Sequence, residues 1–549
     1  SARTVDLGYA TYQSNLSLDP GSGVTSFLGV RYAAAPTGPL RFRAPTAPAR
    51  VPDVQNATTP AQQCWQAPGL NSTTRSRMIE PEYTLAVQGK RHQDKRDTDG
   101  ISDEDCLFLK CVVRLSFVWT PIFENSVHVP TVPKSNALLP VIVYLHGGGY
   151  DAGNISLYPT QDFVSLSGGE VIAVSVQYRL GVFGFLAGKK VKEEGDLNAG
   201  LLDQNFALQW VQKYISHFGG DPSKVTIWGQ SAGAGAVLQH VVAHAGNTQP
   251  PLFRAALANS PFLPFQYRYD DPIPETLYAE VVARCGCVQT SDTLQCLRAA
   301  PATALLAADT ALGLAGFMGT YTFVPVVDGT FIVERPSVTL NQRGKTNGEA
   351  LLVTTNSDEG AGFFVFPDVL AANNFTLREY ITQLFPRLPN ASIGAAVELY
   401  SKADLGPSVA DQATKVMGES IFVCPAYWMA RPLAGAGWKA EFAIPPGLHA
   451  EDLSYEFSTF AIPPTFNNPE FLTAYRQSFL SIATNLSPNS HSNQSILPPW
   501  VGWGSAPPHT EMLFNKTETD APVVQTFRTD EAVLRRCAFW EEVSAYTAQ

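Results

Sequence analysis

Long apolar runs are missing from this chain of 549 residues. No stretch of 18 consecutive apolar residues occurs, and the nearest approach, 302–318, is interrupted by Asp309. A membrane-spanning helix needs about 20 such residues, so the sequence predicts an ordinary helix there and no integral membrane segment. Internal repeats and long low-complexity linkers are also missing, and the 42 glycines and 41 prolines are scattered. We therefore expect many turns within one body.

Positive charge is scarce. The 38 lysines and arginines are outnumbered by 49 aspartates and glutamates, which leaves a net charge of −11. This balance argues against nucleic acids and anionic membrane surfaces as partners. Charged residues make up only 16% of the chain and hydrophobic residues 45%. Such a composition supports a large buried core and excludes global disorder.

The ends of the chain carry no recognisable signal peptide, retention signal or lipid-attachment motif. Other features favour secretion, and we expect that a signal peptide has been removed. Eight cysteines, an even number, fit an oxidising compartment. Asn-x-Ser/Thr sequons, whose number lies well above that expected by chance, occur at Asn15, Asn56, Asn71, Asn154, Asn374, Asn390, Asn485, Asn493 and Asn515. The sequence therefore predicts an extracellular glycoprotein with N-linked glycans.

Strand-like and helix-like segments alternate in the first half of the chain. Short apolar runs rich in β-branched residues occupy 141–145, 171–176 and 225–228. Helical spacing of apolar residues runs through 201–218. Alternation of this kind indicates βαβ units, so we predict an α/β fold with a mostly parallel sheet.

One segment differs in composition from the rest. Residues 65–105 hold 14 charged residues in 41, about twice the average of the chain. Such a segment cannot belong to the core. We expect a solvated, mobile loop that could cover a site.

A strand, a Gly-x-Ser-x-Gly motif and a helix start follow one another around Ser231. A nucleophile at the tip of a sharp strand-to-helix turn needs small neighbours at Gly229 and Gly233, because the surrounding backbones pass too close for side chains. The motif alone would also fit a plain glycine-rich turn. Because a β-branched strand runs directly into it, and 232–244 has a helical pattern, we interpret Ser231 as a catalytic nucleophile.

A nucleophilic serine needs hydrogen-bond donors for the negative oxygen of the tetrahedral intermediate. His146-Gly147-Gly148-Gly149 follows the strand at 141–144 and precedes Ser231 in the chain, as expected of an oxyanion loop. We predict that the backbone N–H groups of Gly148, Gly149 and Ala232 form this oxyanion hole. A phosphate-binding loop is the alternative, but no Lys-Ser/Thr follows the glycines.

These motifs resemble the carboxylesterase type B family of carboxylesterases, cholinesterases and fungal lipases. The resemblance extends from about residue 5 to about 545 and looks closest to secreted fungal lipases and esterases. Lys110 departs from the family pattern, which has a small polar residue there. Further matching segments are 27–33, 40–42, 104–109, 177–181, 200–204 and 218–233.

The resemblance implies an α/β-hydrolase fold: a large twisted, mostly parallel central sheet flanked by helices, with inserted cap or lid segments. It implies that 1–549 form a single domain, with 65–105 as a disulfide-bracketed, lid-like loop. It also implies structural ion pairs between Arg41 and Glu104 and between Arg179 and Asp203. The expected activity is the hydrolysis of carboxylic esters without a metal or other cofactor.

The base and the acid of the site lie downstream of the nucleophile. The hydrolase order is serine, acid, histidine, which leaves His449, His491 and His509 as bases. His449 follows a strand and a Pro-Pro-Gly turn, as in the family, and is favoured. Asp358-Glu359-Gly360 resembles the family's acidic motif, in which the glutamate is the triad member, so Glu359 is preferred and Asp358 is the alternative. His240 and His244 have a metal-binding spacing but no third ligand, so no metal site is expected.

The family resemblance also implies disulfides. It pairs Cys64 with Cys106, Cys287 with Cys296 and Cys424 with Cys537. Cys285 is the alternative partner of Cys296. Cys111 and Cys285 then stay unpaired, and Cys111 is expected to be a buried thiol.

Several residues near the predicted nucleophile and acid bear on the substrate. Gln230, where many relatives have glutamate, is neutral, so a cationic substrate is disfavoured. Phe262, Phe265, Phe363 and Phe364 could wall an apolar acyl site, although core packing explains them equally well. We predict esters with apolar or aromatic acyl groups, soluble rather than emulsified, because the lid-like loop has few apolar residues.

Two alternative functions remain. One is a lipase or sterol esterase that acts on long-chain lipid esters. The other, more remote, is a non-catalytic cholinesterase-like adhesion protein, although the nucleophile, base and acid are all present. The sequence does not determine the oligomeric state.

Overall fold

The computed structural model describes residues 3–14, 24–67, 102–114, 137–490, 495–505 and 508–549. The strands are β1 (Thr4–Asp6), β2 (Thr11–Ser14), β3 (Val24–Arg31), β4 (Val54–Ala57), β5 (Gln63–Cys64), β6 (Ser102–Asp103), β7 (Phe108–Arg114), β8 (Leu139–Leu145), β9 (Ile172–Val176), β10 (Gly220–Gln230), β11 (Ala255–Asn259), β12 (Ala350–Asn356), β13 (Gly437–Phe442), β14 (Thr510–Lys516) and β15 (Pro522–Arg528).

The α-helices are α1 (Gln161–Leu166), α2 (Gly181–Phe185), α3 (Lys189–Glu194), α4 (Ala199–Tyr214), α5 (Ala232–Gly246), α6 (Pro272–Arg284), α7 (Thr293–Ala299), α8 (Ala302–Ala315), α9 (Pro367–Ala372), α10 (Leu377–Leu384), α11 (Asn390–Tyr400), α12 (Val409–Gly418), α13 (Cys424–Ala430), α14 (Leu453–Glu456), α15 (Pro469–Asn485), α16 (Glu531–Glu542) and α17 (Ser544–Thr547). Short 3-10 turns and two π-helical segments, Val338–Gln342 and Glu419–Val423, lie between them.

A sheet of ten strands forms the centre of the described part of the chain. Its order is β15-β14-β13-β12-β11-β10-β8-β9-β7-β3. In this order, the strands from β14 to β9 pair in parallel. At the edges of the sheet, β15 pairs antiparallel with β14, β7 with β9, and β3 with β7. Every residue of β9, β11 and β12 is buried, as expected of parallel strands covered on both faces. The α/β-hydrolase fold predicted from the sequence is therefore confirmed.

Helices cover both faces of the sheet because alternate residues of each strand point to opposite sides. Tyr144 and Trp228 point to one face and pack against α1 and α15. Leu145 and Ile227 point to the other face and pack against α4 and α5. The loops that follow the parallel strands carry the predicted site residues. They meet at the carboxyl edge of the sheet.

Three disulfides and two ion pairs have the partners that the resemblance implies. Disulfides join Cys64 to Cys106, Cys287 to Cys296 and Cys424 to Cys537. Cys111 is buried and free, and Cys285 is free and half-buried. Arg41 contacts Glu104 at 2.6 Å, and Arg179 contacts Asp203 at 2.7 Å.

Two further expectations concern single segments. The helix predicted around residues 302–318 is α8 and ends at Ala315. Within the described residues, no helix combines the length and the apolar character that a membrane crossing requires. Most of the lid-like loop predicted at 65–105 lies outside the described residues, since 68–101 are not among them.

Candidate active site

Ser231 sits at a sharp turn between β10 and α5. Its backbone has φ 58° and ψ −125°, a conformation that a non-glycine residue adopts only when its surroundings impose it. A Cβ at Gly233 would lie 2.1 Å from the Leu145 oxygen, and one at Gly229 would lie 2.4 Å from the Gly233 carbonyl carbon. The two glycines of the Gly-x-Ser-x-Gly motif are therefore required by close backbone approach.

The imidazole of His449 lies against Ser231. His449 follows β13 on a loop, and its Nε2 is 2.8 Å from Ser231 Oγ. Its Nδ1 is 2.5 Å from Glu359 Oε2. Only 5% of His449 and 2% of Glu359 is exposed. The three side chains form a continuous, water-shielded chain from hydroxyl through imidazole to carboxylate.

Glu359, and not Asp358, is the acid beside the imidazole. Both follow β12, and a β-bridge between Asp358 and Leu448 aligns this loop with the loop of His449. The Asp358 side chain is partly exposed and lies 3.4 Å from Lys415 Nζ. Of these two carboxyls, only that of Glu359 reaches the imidazole, because the two adjacent side chains point in different directions.

Ser260 contacts the Glu359 carboxylate oxygen that does not face His449. It was not predicted from the sequence as a site residue. Its hydroxyl donates to Glu359 Oε1 at 2.6 Å, and the Asn356 N–H donates to the same oxygen at 2.7 Å. Ser260 follows β11, the neighbour of β10 in the sheet, and has φ 55°. The sequence offered one signal for Ser260, a polar residue directly after an apolar strand. That signal points to the site only when the strand is known to lie next to β10.

A second buried carboxyl, Asp452, lies behind this network. It accepts hydrogen bonds from Asn259 Nδ2 at 2.8 Å and from Asn356 Nδ2 at 3.2 Å. Asn259 also accepts the N–H of Ser231 through its carbonyl at 2.9 Å. Burial raises the pKa of Asp452, while the two amides oppose that rise. The network connects the nucleophile turn and the acid loop through fixed hydrogen bonds.

The predicted oxyanion donors face the same region. Gly148 and Gly149 have φ 119° and 67°, values that orient their N–H groups in a way most residues cannot. A Cβ at Gly147 would lie 3.1 Å from the Ser231 Cβ, so the glycine loop touches the nucleophile turn. No described residue accepts a hydrogen bond from the N–H of Gly148, Gly149 or Ala232.

Aromatic rings surround the imidazole. The Phe364 and Phe422 rings have centroids 5.2 and 4.7 Å from that of His449, and Phe363 lies at 6.3 Å. Phe262 lies 5.6 Å from Phe422. Three of the four predicted phenylalanines therefore share one apolar region with the imidazole.

The fourth predicted phenylalanine lies elsewhere. Phe265 stacks on Tyr267 at 5.4 Å and lines a separate cavity of about 20 Å³. Two aromatic residues that were not singled out from the sequence, Phe422 and Tyr321, lie in the apolar region near the imidazole. Phe422 belongs to the π-helical segment, and the Tyr321 ring packs on Gly149 and on Phe262 at 5.5 Å.

The residue before the nucleophile also reaches the base. Gln230 is buried, and its Nε2 lies 3.4 Å from His449 Nε2. An amide at this position adds no charge to the site. The electrostatic field at the imidazole therefore differs from that of a site with a glutamate there.

The other candidate histidines do not join this site. His240 is buried and bonds to Gln204 Oε1 at 3.1 Å, and burial lowers its pKa to about 3. His244 bonds to Thr248, at a point where α5 loses its helical geometry. His509 contacts the Trp503 carbonyl, and His491 lies outside the described residues. The described residues include no group of three or more His, Cys, Asp or Glu arranged to hold a metal ion.

The known sequences that resemble this chain include lipases and carboxylesterases. A sequence model described as the Carboxylesterase family matches residues 13–527. "Lipase 4" of Diutina rugosa is 31% identical over 492 residues, and the alignment covers 84% of each chain. "Carboxylesterase patB" of Penicillium expansum is 30% identical over 483 residues, with 82% of each chain covered.

Comparison with solved structures gives the same fold. The crystal structure of Aspergillus niger EstA matches with a TM-score of 0.80 and 26% sequence identity. The match covers 100% of this chain and 99% of that one. The likeness therefore extends over the whole chain and is not limited to the central sheet.

Proposed function

This chain belongs to the carboxylesterase family and is a carboxylic ester hydrolase, and from that premise we propose that Ser231, His449 and Glu359 are its catalytic triad. One observation carries the proposal: Ser231 Oγ, the His449 imidazole and the Glu359 carboxylate are joined by contacts of 2.8 and 2.5 Å. A nucleophile, a base and a group that orients the base are the parts that acyl transfer requires.

Each step of the reaction has a residue to perform it. Ser231 Oγ attacks the ester carbonyl carbon while its proton passes to His449 Nε2. Glu359 holds the opposite nitrogen and stabilises the imidazolium. Collapse of the tetrahedral intermediate releases the alcohol, which takes the proton from His449. Water then attacks the acyl-enzyme with His449 as base, and the acid leaves as the Ser231 hydroxyl is restored.

The negative oxygen of the intermediate would be held by Gly148, Gly149 and Ala232. Their N–H groups are free of described acceptors and adjoin the nucleophile turn. Donors that are already oriented need no reorganisation when the charge develops, and each is worth roughly 10²–10³ in rate.

We propose that the acyl group is apolar or aromatic. The rings of Phe364 and Phe422 pack next to the imidazole, Phe262 packs on Phe422, and Tyr321 covers one side of Gly149. An acyl chain beside this surface would bury apolar area, which favours binding by about 25 cal/mol per Å². Neutral Gln230 gives no attraction for a cationic alcohol.

A lipase that acts on long-chain esters is the second candidate, because one relative with 84% coverage carries the name "Lipase 4". The test is a panel of p-nitrophenyl butyrate, methyl ferulate and emulsified triolein, with a Ser231→Ala variant as control. We expect the wild type to hydrolyse the soluble esters faster than triolein and the variant to hydrolyse none. A sharp rise in triolein rate above its solubility limit would favour the lipase.

We also propose that the protein is extracellular and carries N-linked glycans. Three disulfides within the described residues fit an oxidising compartment. Asn56, Asn374, Asn390 and Asn485 are exposed, and Asn515 is half-buried. The sequons at Asn15, Asn71 and Asn493 lie outside the described residues.

Asn154 is the sequon that should stay free of glycan. It is 2% exposed, its Nδ2 donates to Gln63 Oε1 at 3.2 Å, and its Oδ1 accepts from the Ser156 N–H at 2.9 Å. A sugar on this buried nitrogen would have no room and would displace the Gln63 contact, so the folded protein should carry an unmodified Asn154. Enzymatic deglycosylation in ¹⁸O water followed by peptide mass spectrometry would test this, with exposed Asn374 as the comparison. A glycopeptide at Asn154 would contradict it.

A further inference from the structure

Two aromatic rings of the proposed acyl site come from segments that are far apart in the chain. Phe262 lies on the loop after β11, and Phe422 lies on the π-helical segment Glu419–Val423. Their ring centroids are 5.6 Å apart, and that of Phe422 is 4.7 Å from that of His449. We call residues 260–264 and the π-helical segment the two acyl walls. In the proposed site, the spacing of these walls determines how much room an acyl chain has.

The carbonyl of Ser420, in the π-helical segment, lacks the donors that a helix would ordinarily give it. In a regular α-helix it would accept from the N–H group of Cys424, but that group donates to the Glu419 carbonyl instead. The next residue, Pro425, has no N–H group. Ser420 is fully buried, and a buried carbonyl without a donor is costly. It therefore needs a donor from elsewhere in the fold.

The side-chain amide of Gln549 supplies that donor. Gln549 is fully buried, and its Nε2 donates to the Ser420 carbonyl at 2.8 Å and to the Leu263 carbonyl at 2.7 Å. Its Oε1 accepts from Thr547 Oγ1 at 2.9 Å, so the orientation of the amide is fixed by its partners. Ser420 belongs to one acyl wall and Leu263 to the other. A single NH₂ group thus connects both walls.

Backbone hydrogen bonds hold one wall independently of Gln549. The Phe262 N–H donates to the Ser231 carbonyl at 3.3 Å, which attaches this wall to the nucleophile turn. The Leu263 N–H donates to the Ile421 carbonyl at 3.0 Å and gives the two walls a further contact. Loss of the Gln549 amide should therefore loosen the π-helical wall and leave the nucleophile turn in place.

We propose that Gln549 determines which acyl groups the site accepts, by holding the two acyl walls at a fixed spacing. The inference rests on the proposed acyl site beside these rings. Gln549 is a positioning residue, since its side chain bonds to the walls and to Thr547 and not to the triad. An amide NH₂ has two N–H groups in one plane, which suits it to bridge two carbonyls.

Gln549→Met tests the inference, because it keeps the length of the side chain and removes both donors. Two buried carbonyls then lose their partner, and the π-helical wall shifts. We expect kcat/KM for p-nitrophenyl octanoate to fall about tenfold relative to that for p-nitrophenyl acetate, since small changes of fit in an apolar pocket alter discrimination by roughly 10- to 200-fold. The loss should appear mainly as a higher KM for octanoate. kcat for acetate should stay within about threefold, because the short acyl group depends little on the walls.

Gln212→Met is the matched control. Gln212 lies in α4, and its Nε2 also donates to two backbone carbonyls, those of Pro222 at 2.8 Å and of Leu252 at 2.9 Å. Pro222 lies near the start of β10, at the opposite end of that strand from Ser231. The control loses the same kind of bridge far from the acyl walls, so its octanoate-to-acetate ratio should stay within about twofold of the wild type. Thermal unfolding would establish that each variant is folded at the assay temperature.

The outcomes separate the inference from the proposed function. A ratio that is unchanged in Gln549→Met, or that falls equally in Gln212→Met, would overturn the role of Gln549 and leave the triad intact. If Gln549→Met does not fold, Gln549→Asn decides: its amide is about 1.5 Å shorter and cannot reach both carbonyls, so the ratio should still fall, and an unchanged ratio would overturn the inference. A wild type that hydrolyses neither ester would instead overturn the proposed function.

Discussion

Replacing Glu359 by glutamine should lower kcat for p-nitrophenyl butyrate by roughly 10⁴-fold. The carboxylate accepts from His449 Nδ1 at 2.5 Å and is itself held by the Ser260 hydroxyl at 2.6 Å. A glutamine amide cannot stabilise the imidazolium, and its NH₂ group favours the tautomer that leaves His449 Nε2 protonated. That nitrogen can then no longer accept the Ser231 proton. Steady-state kinetics and the rate of labelling by a fluorophosphonate would both report the loss.

Asp358→Asn is the matched control for this variant. In the wild type, the Asp358 side chain is partly exposed and forms an ion pair of 3.4 Å with Lys415. Such an exposed ion pair contributes little to stability in water. We expect kcat to stay within about twofold of the wild type. The assignment of the acid would be wrong if Asp358→Asn caused the large loss and Glu359→Gln the small one.

Removal of the Cys424–Cys537 disulfide should cause the largest loss of stability among the three bridges. It closes a segment of 113 residues and joins α13 to α16. Loss of a cross-link releases entropy to the unfolded chain, and for this length the chain-entropy estimate is about 5 kcal/mol. The double variant Cys424→Ala/Cys537→Ala should therefore unfold at a much lower urea concentration.

The Cys287–Cys296 bridge gives the comparison within the same protein. It spans only nine residues, from the loop after α6 into α7, and the same relation predicts about 2.5 kcal/mol. The urea concentrations at the unfolding midpoint would be measured side by side for the Cys287→Ala/Cys296→Ala and the Cys424→Ala/Cys537→Ala variants. Equal losses would show that local packing, and not loop length, determines what these bridges contribute.

The position of Phe422 shows a limit of sequence reasoning. Its ring is 4.7 Å from His449, closer than any of the phenylalanines singled out from the sequence. It lies on a π-helical segment, Glu419–Val423, that no periodicity predicted. Glu419 of the same segment is paired with Arg536 at 2.6 Å, more than a hundred residues away in the chain. A contact that depends on such a distant partner has no local signal.

Phe265 illustrates the converse error. Phe265 directly follows the segment Phe262-Leu263-Pro264 and was expected to share a pocket with Phe262. The backbone between the two aromatic residues belongs to no helix or strand, and Phe262 packs on Phe422 whereas Phe265 stacks on Tyr267. Proximity in sequence is a poor guide to a shared pocket wherever the backbone is irregular.

The local backbone structure around Ser231 was readable from the sequence alone. The strand, the Gly-x-Ser-x-Gly turn, the helix and the glycine loop each depend on backbone sterics within about ten residues. Alternating buried strands and helices likewise reveal the α/β architecture, because side-chain periodicity is a local property.

Only the tertiary structure decided which distant groups cooperate. The placement of Glu359 rather than Asp358 beside the imidazole, the contact from Ser260 and the position of the Phe422 ring all depend on strand order and helix packing. Hydrogen bonds and buried charges act over a few ångströms, so residues far apart in sequence affect each other only after the fold has brought them together.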